Sequence, residues 1–289
     1  MFYQLIISTL FFFLGAGLGS FVNMAVYRIR KNQNFFGRSY CDFCKKELSP
    51  KVLIPIFSFI FSKGKTNCCN KKLNIQYPLI EFIMGIIFTV LANIYLVNFT
   101  TNSLLEFIYY GILTVILTLV FIYDLKYYEI PIFPILVGYI IYFTHSFVSF
   151  FLFIQTMQSQ IISGFYGKYF LQAGMLNIYK SWFLQNEIFN ISAAIFTLFF
   201  FLFIFFITKK QGLGFGDVYT APLLSLIAGV SGTGIFLISS FTTGAVFGIL
   251  LIVFKGKNLK SKVPLGPFLI IGLIIALTTK QFFAIFSLY

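Results

Sequence analysis

Apolar residues run along this chain in blocks of about twenty, broken by short polar stretches. The blocks cover residues 5–26, 79–97, 104–123, 131–154, 188–207, 218–231, 234–254 and 266–283. A helix needs about 20 apolar residues to cross the ~30 Å hydrocarbon core of a bilayer, and most of the blocks meet that length. The sixth is short and interrupted by glycine near its end. The pattern predicts an all-α polytopic membrane protein with about eight transmembrane helices. It divides the chain into a first helix (1–26), a loop domain (27–78) and a membrane core (79–289). The N-terminal block has no basic residue ahead of it and no small-residue cleavage pattern after it, so it reads as a retained span. Residues 155–187 read as an outer loop, with Trp182 in an interfacial amphipathic segment.

Composition agrees with this division: 59% of residues are hydrophobic, and only 10% are charged. The net charge is +13. Nucleic acid is one class of partner for such a charge, but the distribution argues otherwise. Eighteen of the 21 Lys and Arg residues fall in 27–78, 124–130, 208–217 and 255–265, the loops that alternation places on a single side. By the positive-inside rule that side is the cytoplasm, and both termini lie outside it. The expected partner is the lipid bilayer, with the basic loops on its cytoplasmic side, and no nucleic acid.

Two of the eight acidic residues stand at the mouths of apolar runs. Asp124 closes the run 104–123, and Asp217 follows the run 188–207. A charge within the hydrocarbon costs roughly 2.5–3.5 kcal/mol at a helix centre and less toward the interface. Alternation places both aspartates on the cytoplasmic face at similar depth. Two carboxylates sharing a proton can hydrolyse a peptide bond: one takes a proton from water while the other polarises the scissile carbonyl. Gly212, Gly214 and Gly216 would let a substrate backbone approach Asp217, and Pro131 would open a new helix just after Asp124. The plainer alternative makes Asp217 a helix N-cap and Asp124 a solvated loop residue.

The loop 27–78 carries all four cysteines. In a reducing cytoplasm a structural disulfide is not expected there. Cys41-x-x-Cys44, followed by Cys68 and Cys69, reads as a structural zinc site; the alternative is a set of reduced thiols without metal. Four thiolates would leave no open position for water. Zinc would fold a loop with little apolar core of its own.

Taken in order, several segments resemble type IV prepilin peptidases, membrane aspartic proteases of the GxGD type. GLGFGD (212–217) resembles the family's aspartate motif, and DLKYYEIP (124–131) is similar to the segment holding its other aspartate. GLGSFVNMAVYRI (17–29), LIPIFSF (53–59), YPLIE (77–81) and VPLGPFL (263–269) resemble further family segments. The resemblance implies a location in the bacterial cytoplasmic (inner) membrane and cleavage of the leader of type IV prepilins or pseudopilins at its cytoplasmic face. Asp124 and Asp217 would be the catalytic pair, with no cofactor needed for proteolysis. It also implies N-methylation of the new N-terminal residue, with S-adenosylmethionine as methyl donor, although nothing in 27–78 reads as a Gly-rich cofactor turn. Glu81 is a candidate for methyl transfer or for binding the substrate amine; a dipole-favoured carboxylate is its alternative. Two departures stand out. Tyr219 occupies a position where family members often carry Lys. Thr66 stands where a second C-x-x-C would begin, so that Cys68 would supply the missing thiolate.

Other residues read as structural. His145 lacks a metal partner, Glu106 is a helix-start carboxylate, and Glu129 is a loop residue. Gly15 and Gly19 suit close helix packing. Two further readings of the whole chain stay open: an ion-coupled transporter using intramembrane carboxylates, and a catalytically idle scaffold of a pilus or secretion system.

Overall fold

The computed structural model describes residues 2–35, 37–41, 43–97, 99–164, 169, 173–209, 213–255 and 263–286. Among them the chain forms eight α-helices: α1 (Phe2–Arg30), α2 (Phe57–Phe61), α3 (Gln76–Tyr95), α4 (Thr101–Tyr127), α5 (Ile132–Ser163), α6 (Met175–Ile207), α7 (Phe215–Lys255) and α8 (Gly266–Phe286). No strand is present among the described residues, only two isolated bridges. Six helices (α1, α3, α4, α5, α6 and α7) are long and apolar enough to cross a membrane, and α8 contributes a shorter apolar stretch. The all-helical, multi-pass membrane architecture read from the apolar blocks is therefore the one observed. The chain divides into two units, Met1–Leu119 and Val120–Tyr289.

In the first unit, α1 lies against α3 through small residues. A Cβ on Gly19 would come within 2.8 Å of the Glu81 backbone, and one on Gly85 within 2.8 Å of the Phe12 ring. Gly15 likewise abuts the Met84 carbonyl. Helices in lipid gain little from the hydrophobic effect when they meet, so backbone approach of this kind holds them together. At the end of α1 the buried Arg28 donates to the carbonyls of Asn34, Phe35, Gly37 and Arg38, which ties the following loop to the helix.

In the second unit, α7 runs from Phe215 to Lys255 but breaks at Gly229, whose φ 74° and ψ 168° lie in a region open essentially to glycine alone. The chain folds back there. Ser225 Oγ and Thr233 Oγ1 are 2.8 Å apart, whereas residues eight apart in a straight helix would be separated by about 12 Å. The N–H of Val230, freed by the break, donates to Asn190 Oδ1 at 2.9 Å. The two arms of α7 are the sixth and seventh predicted spans. Their junction lies at Gly229, before the expected 232–233, because the turn is made by one glycine and not by a polar linker.

The outer loop expected at 155–187 is mostly helix. Helix α5 continues to Ser163 and α6 begins at Met175. Trp182 sits within α6, its ring 6.0 Å from that of Phe153 on α5, and Phe183 lies 5.6 Å from the same ring. Aromatic packing between the extended helices replaces the interfacial loop.

Candidate functional site

Asp124 lies in the last turn of α4 and Asp217 in the first turn of α7. Both are buried, at 5% and 6% exposure. Neither is a solvated loop residue, and Asp217 stands two residues inside its helix. Asp124 Oδ2 accepts the N–H of Gly266, the first residue of α8, at 3.0 Å. The carboxylate therefore faces the positive end of a helix dipole. A Cβ on Gly266 would lie 2.6 Å from Asp124 Oδ2, so the contact requires glycine. Asp217 Oδ1 is buried with no hydrogen-bond partner, and Asp124 acts on Asp217 electrostatically. The structure thus brings the two sequence-predicted aspartates into one buried site, with one oxygen of Asp217 left to be satisfied.

Ile130 fills the floor between the helix starts. Its Cβ lies where a Gly216 side chain would reach, at 2.8 Å, and its Cδ1 is 3.3 Å from a Cβ placed on Gly266. The Tyr219 hydroxyl donates to the Ile130 carbonyl at 2.5 Å, and Tyr139 Oη donates to the Tyr219 carbonyl at 3.0 Å. Tyr219, the departure noted in the sequence, therefore straps the Asp124–Pro131 segment to α7. Gly214 leaves open space beside Asp217, where an added Cβ would lie 3.2 Å from Oδ2. Gly212 lies outside the described residues. Sequence reasoning did not single out Gly266 or Ile130. The GPF of VPLGPFL was the only available signal for the glycine, and an isoleucine whose work is done by shape and a carbonyl gives none.

The four cysteines converge in the first unit. Their sulfurs lie within 4.8 Å of one another, with Cys41 and Cys69 at 3.9 Å and Cys44 and Cys68 at 3.2 Å. Two small hairpins present them. In one, Cys41 N donates to Lys46 O at 2.9 Å and Lys45 N to Cys41 O at 3.0 Å. In the other, Thr66 N donates to Lys71 O at 2.8 Å and Asn70 N to Thr66 O at 2.9 Å. Lys45 and Asn70 carry matching left-handed φ angles of 59° and 58°. By this correspondence Thr66 occupies the place of Cys41, and Cys69 that of Cys44. Cys68 comes in from the neighbouring position. Thr66 Oγ1 is hydrogen-bonded to Cys69 Sγ at 3.0 Å.

Burial opposes ionisation of Cys41, but N–H groups of Cys44 and Phe43 and the thiols of Cys68 and Cys44 outweigh it and lower its pKa to about 7. Hydrogen bonds with Cys44 and Cys41 push the Cys68 thiol up to about 12. A tetrahedral zinc with Zn–S bonds of about 2.3 Å needs sulfurs about 3.8 Å apart, so this cluster fits the ion with small adjustments.

Glu81 belongs to the first unit. It is buried, at 8% exposure, in the second turn of α3. Its Oε2 accepts the N–H of Ile56 at 2.7 Å, and Ser20 hydrogen-bonds to the same carboxylate. Ile56 has φ 65° and ψ −55°, and Phe57 N reaches back to Pro55 O at 2.6 Å. This is a γ-turn of the rare positive-φ kind, strained for a β-branched residue.

Residues 13–95 match the Bacterial Peptidase A24 N-terminal domain. The chain is 38% identical over 81 residues to the prepilin leader peptidase/N-methyltransferase of Bacillus subtilis (strain 168), covering 28% of this chain and 33% of that protein. Longer matches run to proteins of the same description from Aeromonas salmonicida (strain A449), 24% identical over 83% of this chain and 70% of the relative, and from Legionella pneumophila, 25% identical over 84% and 72%. The matched part is thus about a third of the Bacillus protein's length, and 41% of the length of a Klebsiella pneumoniae relative. No solved structure matches. Over residues 13–95 the chain is thus similar to the N-terminal domain of the bacterial A24 peptidases, and over most of its length it is similar, at 24–25% identity, to proteins described as prepilin leader peptidase/N-methyltransferases.

Proposed function

We propose that the chain is a membrane aspartic endopeptidase that removes the leader of type IV prepilins or pseudopilins at the cytoplasmic face of the inner membrane, then N-methylates the new N-terminus. The observation that carries the peptidase reading is the pair of buried carboxylates Asp124 and Asp217 in one site, with Asp217 Oδ1 unpartnered. An N–H donated to Asp124 favours a carboxylate there, which gives Asp124 the role of base. Asp217 holds the shared proton. Asp124 takes a proton from water as the water oxygen attacks the scissile carbonyl carbon. Asp217 donates to the carbonyl oxygen through its free side. Collapse breaks the C–N bond as the leaving nitrogen takes up the proton Asp124 gained and one hydroxyl proton of the tetrahedral intermediate returns to Asp217, leaving a free amine, a carboxylic acid and the original dyad. Gly214 keeps the approach to Asp217 clear for the substrate backbone.

Cys41, Cys44, Cys68 and Cys69 would hold a structural zinc that fixes the two hairpins. The methyl donor, S-adenosylmethionine, supplies an electrophilic methyl group when bound; among the described residues of the first unit, Glu81 is the buried acid. Both termini lie outside the cytoplasm in this reading, on the strength of the basic loops. The carrier and scaffold readings do not need two acids in one buried site.

The test is cleavage of a purified prepilin in detergent by wild type, Asp124→Asn and Asp217→Asn, followed by mass spectrometry. Wild type cuts and both amides fail if the pair does the chemistry; equal cutting by all three refutes it. A methyl mass on the new N-terminus, dependent on the donor, tests the second activity.

A further inference from the structure

The first unit holds a cavity of about 1000 Å³ between the latter part of α1, the start of α3 and the cysteine hairpins. The proteolytic step makes no use of it. Asn23 and Tyr27 of α1, Lys45 of the first hairpin, and Tyr77 and Glu81 of α3 line it.

Asn23 is buried, at 6% exposure, and its Oδ1 has no partner. Its Nδ2 reaches the Tyr77 carbonyl at 3.4 Å, so the amide is held while its oxygen is left open. A buried acceptor without a donor is destabilising, and a bound N–H would relieve it. The Glu81 carboxylate lines the same cavity and is fixed by the Ile56 N–H. Lys45 Nζ bonds Tyr27 Oη at 3.1 Å and stands 5.7 Å from the Tyr27 ring centre. The cavity therefore offers acceptors and a carboxylate, a separate cation, and tyrosine rings. That combination suits a ligand with an ammonium, a carboxylate and a further positive centre, since aromatic faces attract cations within about 6 Å. Ligand sites run from about 300 to 1000 Å³, so the space admits such a ligand together with the first residue of a peptide.

We propose that this cavity is the methyl-transfer site. It takes a sulfonium methyl donor of the S-adenosylmethionine class, with Asn23 Oδ1 accepting from the donor's ammonium, Lys45 pairing its carboxylate, and Glu81 facing the peptide amine. The assignment rests on the methyl-transfer half of the proposed function. The peptide ammonium gives one proton to Glu81. The freed lone pair forms the N–C bond to the methyl carbon as the C–S bond breaks, and that bond's electrons stay on sulfur as a neutral thioether. The nitrogen keeps the positive charge as a secondary ammonium.

The experiment is equilibrium binding and ultraviolet crosslinking of radiolabelled S-adenosylmethionine to the full-length protein in detergent. Wild type, Asn23→Ala and Glu81→Gln are compared, with Asn23→Ser as a second variant should alanine not give a monodisperse protein. The crosslink is expected within residues 17–81. Asn23→Ala should weaken binding at least tenfold. Glu81→Gln keeps an acceptor for Ile56, so it should bind the donor within threefold of wild type yet lose methyl transfer and its dependence on pH. A crosslink confined to the second unit, or undiminished binding by Asn23→Ala, overturns this location while leaving methyl transfer standing. Absence of both donor binding and a methyl mass in wild type overturns the methyl-transfer reading and this site with it.

Discussion

Gly266→Ala is the sharpest probe of the aspartate site because it adds one methyl group and no charge. The new Cβ would lie 2.6 Å from Asp124 Oδ2 and 3.3 Å from Ile130 Cδ1. Ordinary van der Waals contact begins at 3.4 Å, so the carboxylate or the start of α8 must give way by about 0.8 Å, close to the ~1 Å misplacement that costs about 100-fold in rate at a reacting group. The 3.0 Å bond from Gly266 N–H to Asp124 is stretched at the same time. We expect leader cleavage to fall about 100-fold in kcat, with KM changed by less than threefold, since the methyl group touches the base and not the leader. The assay is steady-state cleavage of a prepilin in detergent. Gly248→Ala serves as the control, because a Cβ there meets nothing within 4 Å. If Gly266→Ala cleaves at the wild-type rate, the contact between Asp124 and α8 does not set the geometry of the reaction, and the role given to Asp124 is wrong.

Other outcomes follow from the same structure. Tyr219→Phe removes the hydroxyl that holds the Ile130 carbonyl; a single hydrogen bond of about 0.5–1.5 kcal/mol implies a two- to tenfold loss in kcat/KM. Cys68→Ser should drop zinc, measured by metal analysis of purified protein, to well below one equivalent, and Thr66→Cys in that background should restore it, because position 66 holds the place of a ligand in the second hairpin. Zinc retention against a chelator should weaken as pH falls from 8 to 6. The neighbouring N–H groups and thiols lower Cys41 to about 7, whereas hydrogen bonds hold Cys68 protonated, so lower pH returns protons that binding must displace. Gly229→Ala forces a side chain into a glycine-only conformation and should cost about 1–3 kcal/mol, read as a lowered unfolding midpoint.

The apolar spans were legible because lipid leaves the backbone no alternative to a helix, and the eight blocks appear as helices or helix arms. The aspartates were legible for the same reason: an acid beside hydrocarbon is costly enough to stand out. Their partners were not. Gly266 and Ile130 act through a backbone N–H, a missing side chain and a shape, none of which has a chemical signature in a row of letters. Residues 155–187 misled because Trp182, its neighbouring tyrosine and scattered polar residues resemble an interface, whereas tilted aromatic contacts between α5 and α6 line helices that continue through most of the segment. The offset of Cys68 was visible by counting, since knuckle spacing is local. The clasp of Glu81 on Ile56 was not visible, because nothing in the sequence marks a β-branched residue for positive φ.

The fold-back at Gly229 has a consequence for the surrounding lipid. From Phe215 to Ala228 the first arm of α7 is only about 21 Å long at 1.5 Å per residue, against a hydrocarbon thickness of about 30 Å. Its ends cannot both reach the headgroups of an undeformed bilayer. The deficit of about 9 Å is met by local thinning of the membrane or by the arm starting below the surface, and Asp217 lies at that start. Hydrolysis needs water at a buried carboxylate, and a thinned bilayer brings water closer to it. Acyl-chain length thereby becomes a variable of the chemistry: long, ordered chains resist the deformation, and short or fluid ones accommodate it.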